Sequence, residues 1–125
     1  MLFRSAPGFL AVVDDAKSRV REVTVAETQA RLEANPAALL VDVREDLEWQ
    51  AGHAAGATHI GKGVIERDIE TQVPDKQTEL ILYCGGGFRS ALSADMLQKM
   101  GYTNVASMAG GWRAWNAANA PVAEG

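Results

Sequence analysis

Two short apolar runs, Leu39-Leu40-Val41-Asp42-Val43 and Leu80-Ile81-Leu82-Tyr83, constrain this chain more than any other feature. Each is too short for a buried helix and too continuous for a strand with one wet face. Runs of this kind fit central strands of a parallel sheet, covered on both faces. Parallel strands need long crossovers, so helices are expected between them. The segments around the runs agree. Val23 and Val25 flank a possible short strand, and Thr24 caps a helix through Glu27, Ala30 and Leu32 that Asn35-Pro36 ends. Further helices are expected at Glu45–Ala51, Val64–Val73 and Ser90–Met100, the last with Leu92, Met96, Leu97 and Met100 as its apolar face and Gly101 as its stop. Thr58–Ile60 and Val105–Met108 read as strands, and Gly110-Gly111 leads into a helix with Trp112 and Trp115 on one side. The expected fold class is α/β, a mainly parallel central sheet flanked by helices on both faces.

A chain of 125 residues suits one such domain. We read residues 23–122 as that domain and residues 1–22 as an N-terminal helical extension. Phe9, Val12, Val13, Ala16 and Val20 recur at helical spacing over residues 9–21, giving a face to pack on the domain or on a partner. The apolar stretch Phe9–Val13 is too short for a membrane span or a signal segment, so a cytoplasmic protein without membrane contact is expected. The formal net charge of −4 carries no basic footprint for nucleic acid. With one cysteine, no intrachain disulfide forms, which excludes a disulfide-stapled domain.

That cysteine lies in the segment that carries most chemistry, Tyr83-Cys84-Gly85-Gly86-Gly87-Phe88-Arg89-Ser90, between a buried strand and a helix. Ligands of open α/β sheets bind at the carboxyl ends of strands. Three glycines let successive amides turn inward as an anion nest, the helix start brings its positive dipole end to the same space, and Arg89 adds a fixed charge. A free cysteine has a pKa of about 8.5, and one beside helix N-termini and cations falls to about 3.5–7.5. A fall of about two units corresponds to about 2.7 kcal/mol of preference for the anion. The alternative is a buried structural cysteine beside a glycine-rich turn.

This loop, together with Leu40-Val41-Asp42-Val43-Arg44-Glu45, Gly52-His53-Ala54-Ala55-Gly56-Ala57, Gly101-Tyr102, Gly110-Gly111-Trp112 and Trp115, resembles in order and spacing the rhodanese superfamily, specifically a single-domain rhodanese-like sulfurtransferase. The resemblance covers about Val23 to Val122. It implies a thiosulfate sulfurtransferase in which Cys84 carries a persulfide. The Cys84 thiolate takes the outer sulfur of a small anionic donor and passes it to a nucleophilic acceptor such as cyanide, a thiol or a protein. No cofactor and no metal are implied. The implied substrate-binding residues are Gly85, Gly86, Gly87, Phe88, Arg89 and Ser90, with Asp42 bracing the loop. Four residues between cysteine and arginine match the sulfurtransferases, whereas phosphatases and arsenate reductases of the same fold have five. Those activities, and a non-catalytic interaction module, are the competing readings. Two positions depart from the family pattern. Ala54-Ala55 replaces the usual Ile-Pro, which points to a looser loop, and glycine stands where thiosulfate-specialised members often carry a base.

Arg44 has two equally good roles, contact with the anionic donor or an ion pair with Asp42. His53 and His59 lack the partners of a metal site and read as loop-packing residues. Asp14, Asp15, Asp46 and Glu48 read as solvated faces, the three tryptophans as core or rim, and Lys62 as a residue of the pocket entrance.

Overall fold

The computed structural model describes residues 6–125. In chain order the elements are α1 (Pro7–Lys17), β1 (Arg21–Val23), α2 (Val25–Ala34), β2 (Leu39–Asp42), α3 (Asp46–Ala51), β3 (His53–Ala54), β4 (Thr58–His59), α4 (Ile65–Gln72), β5 (Leu80–Tyr83), α5 (Phe88–Lys99), β6 (Val105–Met108), α6 (Gly111–Ala117) and β7 (Val122–Ala123). Five strands form a parallel sheet in the order β1-β6-β5-β2-β4, and β3 pairs with β7 in a separate antiparallel ladder.

The two apolar runs are the centre of this sheet. They pair in register, Leu39 with Leu80 through Asp42 with Tyr83. All four residues of β5 are 0% exposed, each adding about 1.5–3 kcal/mol of burial. Their alternation divides the core. Leu80, Leu82 and Cys84 join Val41 and Val43 against Ile65 and Ile69 of α4 and Ala94 and Leu97 of α5. Ile81 and Tyr83 face the other way, with Leu40, Ala106 and Met108, toward Val25 and Trp115. Helices thus cover both faces.

Several local expectations need correction. Thr24 caps α2 through a reciprocal capping box with Glu27 (3.1 and 2.9 Å), and this draws Val25 into the helix and ends β1 at Val23. The α1 helix stops at Lys17 rather than residue 21, because the chain must enter β1 at Arg21. The first five residues of the expected extension lie outside the described residues. In α5 the buried residues are small, Ser90, Ala91, Ser93 and Ala94 with Asp95 and Leu97, while Met96 is exposed. Small side chains let α5 lie close to the sheet and to α1, and Asp95 serves as an anchor. Arg19 binds its carboxylate at 3.0 and 2.8 Å, which ties the end of α1 to α5.

Ala54-Ala55 does not loosen its loop. Ala54 pairs with Val122, Ala55 N donates to Pro121 O at 2.9 Å, and Ala54 N donates to the Tyr83 hydroxyl at 3.0 Å. That hydroxyl donates in turn to Asp42 at 2.6 Å. Burial and the Asp42 carboxylate push the phenol well above its ordinary value, so it stays a donor. Tyr83→Phe is expected to leave the buried Ala54 N–H unpaired and to cost about 2–4 kcal/mol, measurable as a lower urea midpoint with unchanged slope.

Candidate active site

Strand β5 ends at Tyr83, and the next residue, Cys84, sits where the sheet delivers a side chain to the start of α5. The turn depends on Gly87, whose φ of +102° is left-handed and which serves as the N-cap of the 12-residue α5. This conformation aims amides at the sulfur. Gly87 N donates to Cys84 Sγ at 3.1 Å and Ser90 N at 3.3 Å, and Ser90 Oγ lies 3.5 Å away. Ser90 Oγ is fixed by Ser107 Oγ at 2.8 Å, from the neighbouring strand β6. Cys84 is 1% exposed and packs with the core. Burial pushes its thiol up, but the Ser90 hydroxyl and the amides of Ser90, Gly86 and Gly87 outweigh that and hold it below its ordinary value. The cysteine is buried, and polar donors converge on its sulfur, a setting that a purely apolar core site does not provide. An apolar-packed sulfur met by several N–H groups is built to hold negative charge.

The loop is clamped from the far end of the domain. Gly110 and Gly111 have φ of +77° and +52°. Trp112 N donates to Cys84 O at 2.7 Å and Arg113 N to Gly85 O at 3.2 Å. A Cβ on Gly111 would overlap Cys84 O and stand 2.9 Å from Gly85 C. The start of α6 therefore rests directly on the backbone of the cysteine loop.

An open cleft of about 230 Å³ lies over the cysteine loop. It is lined by Cys84, Gly85 and Gly86 of the loop, Phe88 and Arg89 of α5, Phe9 of α1 and Arg113 of α6. A larger cleft of about 280 Å³ lies between α1 and α5. It holds no nucleophilic cysteine, and its Asp15, Arg19, Asp95 and Lys99 are paired with one another. Lys62 belongs to this second cleft and not to the entrance of the first.

Two charge assignments change. Arg44 is 3% exposed and does not line the Cys84 cleft. Its Nε and Nη2 donate to Asp42 (3.1 and 2.8 Å), Nη2 also to Gly52 O (2.6 Å), and the guanidinium lies over the ring of Trp112 at 4.7 Å. The ion pair with Asp42 is thus the role of Arg44 that this structure displays, and the guanidinium stands outside the lining of the Cys84 cleft. Asp42 acts one step from the cysteine, gripping Tyr83 and Arg44. Glu48 is part-exposed but not a free solvated charge. It binds Arg89 through both oxygens at 2.8 and 3.2 Å, so Arg89 lines the cleft with its charge already partnered. Arg89 holds the Glu48 carboxyl down at about 2, against an ordinary 4.5. A depressed folded value stabilises the fold above the unfolded value, so this contribution is complete above pH 4.5 and disappears as pH falls toward 2. The urea midpoint is expected to drop across that window, and Glu48→Gln is expected to flatten the drop.

The histidines pack the loop before β4. His53 stacks on Trp49 with centroids 3.4 Å apart and has Nδ1 3.0 Å from Trp49 O, while His59 Nε2 is 2.8 Å from Arg44 O. Among the described residues no group of His, Cys, Asp and Glu could hold a metal ion, and no helix is long and apolar enough to cross a membrane.

Comparison with known proteins places this arrangement among relatives. The family model for the rhodanese-like domain matches residues 24–118. The Bacillus subtilis (strain 168) protein named "Putative sulfurtransferase YtwF" is 33% identical over 102 residues, which are 82% of this chain and 96% of that protein. A thiosulfate sulfurtransferase of Escherichia coli (strain K12) is 36% identical over 70 residues, 56% of this chain and 67% of that one. A tRNA uridine(34) hydroxylase of Protochlamydia amoebophila (strain UWE25) is 32% identical over 103 residues; this chain spans only 32% of its length. Among solved structures, a protein of unknown function from Rhodopseudomonas palustris CGA009, described as a "Possible Tyrosine Phosphatase", matches with a TM-score of 0.83 at 30% identity, covering 98% of this chain and 99% of that one.

Proposed function

The chain belongs to the rhodanese-like domain family, and from that premise we propose that it is a thiosulfate sulfurtransferase working through a persulfide on Cys84. The observation that carries the reading is the convergence of Gly87 N, Ser90 N and Ser90 Oγ on one sulfur. A thiolate is the nucleophile of sulfur chemistry, and these donors favour it over the thiol. The Cys84 thiolate attacks the outer sulfur of thiosulfate. The new S–S bond forms as the bond to the sulfonate sulfur breaks, and sulfite leaves with the electron pair. The terminal sulfur of the persulfide is again an anion, stabilised by the same donors. Cyanide or a thiolate then attacks that sulfur and regenerates the thiolate, giving ping-pong kinetics. Both steps use the chain's own thiol, so no cofactor or metal is called for.

The naming of one relative as a thiosulfate sulfurtransferase supports this donor. Against a phosphatase, the loop amides close on the sulfur itself at 3.1 and 3.3 Å, a cradle for one atom more than for a tetrahedral oxyanion. We place the reaction in the cytoplasm, with residues 23–122 as the catalytic domain, residues 1–22 as an extension, and neither nucleic acid nor membrane as a partner.

Mass spectrometry tests the proposal. Incubation with thiosulfate should add the mass of one sulfur to the protein, and cyanide should remove it with release of thiocyanate. An unloaded, reduced Cys84 together with Cys84-dependent hydrolysis of an aryl phosphate would replace this reading with phosphatase chemistry. An unloaded cysteine without hydrolysis would leave an interaction module.

A further inference from the structure

A dianionic donor approaching Cys84 needs a cation that is free to receive it, and the loop itself offers none. Gly85, Gly86 and Gly87 carry no side chains, and Arg89 is bound to Glu48. The structure supplies one from elsewhere. Arg113 lines the same cleft. Its backbone is fixed to the loop by the bond from Arg113 N to Gly85 O. Its guanidinium lies against Gly86, where a Cβ would run into Arg113 Nη2. Among the described residues Arg113 makes no salt bridge and no side-chain hydrogen bond.

We propose that Arg113 binds the anionic leaving group of the sulfur donor and so selects donors whose transferable sulfur is attached to an oxyanion. The proposal rests on the sulfur-transfer reading and deepens it. In the loading step the Cys84 thiolate bonds to the donor's outer sulfur, the donor's S–S bond breaks, and its electron pair leaves with the sulfite whose oxygens face the guanidinium. A guanidinium offers paired N–H donors suited to such oxygens. Phe9 and Phe88, with ring centroids 6.1 Å apart, form an apolar side to the same cleft. Gly86 then has two reasons to lack a side chain: an inward-turned amide and a seat for Arg113.

The test compares two reagents that alkylate the same thiolate and differ in charge, iodoacetate and iodoacetamide, on the full chain. Arg113→Gln should slow iodoacetate about tenfold relative to iodoacetamide, and Arg113→Lys should restore most of the ratio. In turnover with thiosulfate and cyanide, Arg113→Gln should raise KM for thiosulfate about tenfold with little change in kcat. An unchanged reagent ratio with an unchanged KM overturns the proposal and leaves sulfur transfer intact. An equal loss with both reagents assigns Arg113 a structural role and also overturns it. If the unaltered protein never loads sulfur from thiosulfate, the sulfur-transfer reading fails, and the reagent ratio still decides whether Arg113 is an anion site.

Discussion

Cys84→Ser is expected to lower sulfur transfer by about three orders of magnitude or more, to background, while the protein stays folded. Serine fits the site, since Ser90 Oγ and the Gly87 and Ser90 amides are hydrogen-bond partners for oxygen as well as sulfur. The loss is therefore chemical. An alcohol is not ionised at neutral pH even with these donors, and it cannot carry a terminal sulfur as a stable anion. Both half-reactions should vanish together: no sulfur mass after thiosulfate, and no thiocyanate after cyanide. Circular dichroism and the urea midpoint should stay close to those of the unaltered protein. Retained turnover would remove Cys84 from the mechanism and the mechanism with it.

Gly111→Ala should be the most damaging change at a residue that never touches substrate. Two costs combine. The φ of +52° is strained for alanine, and the new methyl would overlap Cys84 O with Gly85 C only 2.9 Å away. Left-handed strain and overpacking together come to about 2–5 kcal/mol. The chain can relieve the clash only by lifting α6 off the loop or by shifting the loop. Either movement breaks the bonds from Trp112 N and Arg113 N, and the second also moves the amides away from the sulfur. A shift of about 1 Å at a catalytic group costs about a hundredfold. Sulfur loading is thus expected to fall about a hundredfold in protein that remains folded, with a clear loss in the urea midpoint. Gly111→Ala with unchanged loading would mean that the clamp is not needed.

Much of this design is legible in the order of residues. The two apolar runs announce a parallel sheet because strands buried on both faces cannot afford alternation, and the cysteine with three glycines and a helix start announces an anion nest. What the sequence hides is pairing across distance. Nothing local says that Glu48, 41 positions before Arg89, takes its charge. Arg44 carries the same formal charge in the string as Arg113, and only the fold shows the first sealed between Asp42 and Trp112 and the second left open at the cleft. Arg113 had a signal that periodicity does not weigh, its place just after Gly110-Gly111, where left-handed glycines bring a helix start onto another loop. The face of α5 is legible only in part: Leu97 is buried and Met100 packs on the core as its spacing suggests, but Met96 is exposed, and close approach to the sheet and α1 adds the small residues Ser90, Ala91, Ser93 and Ala94 to the buried side.

Donors around Cys84 stabilise its anion more than burial opposes it. The direct measurement is the pH dependence of Cys84 alkylation by iodoacetamide, an uncharged reagent whose rate follows the thiolate fraction. The midpoint should lie below the ordinary value of about 8.5, so that the thiolate form dominates at lower pH than in a free cysteine, and it should move up in Ser90→Ala. A midpoint at or above the ordinary value, unmoved by Ser90→Ala, would contradict that stabilisation.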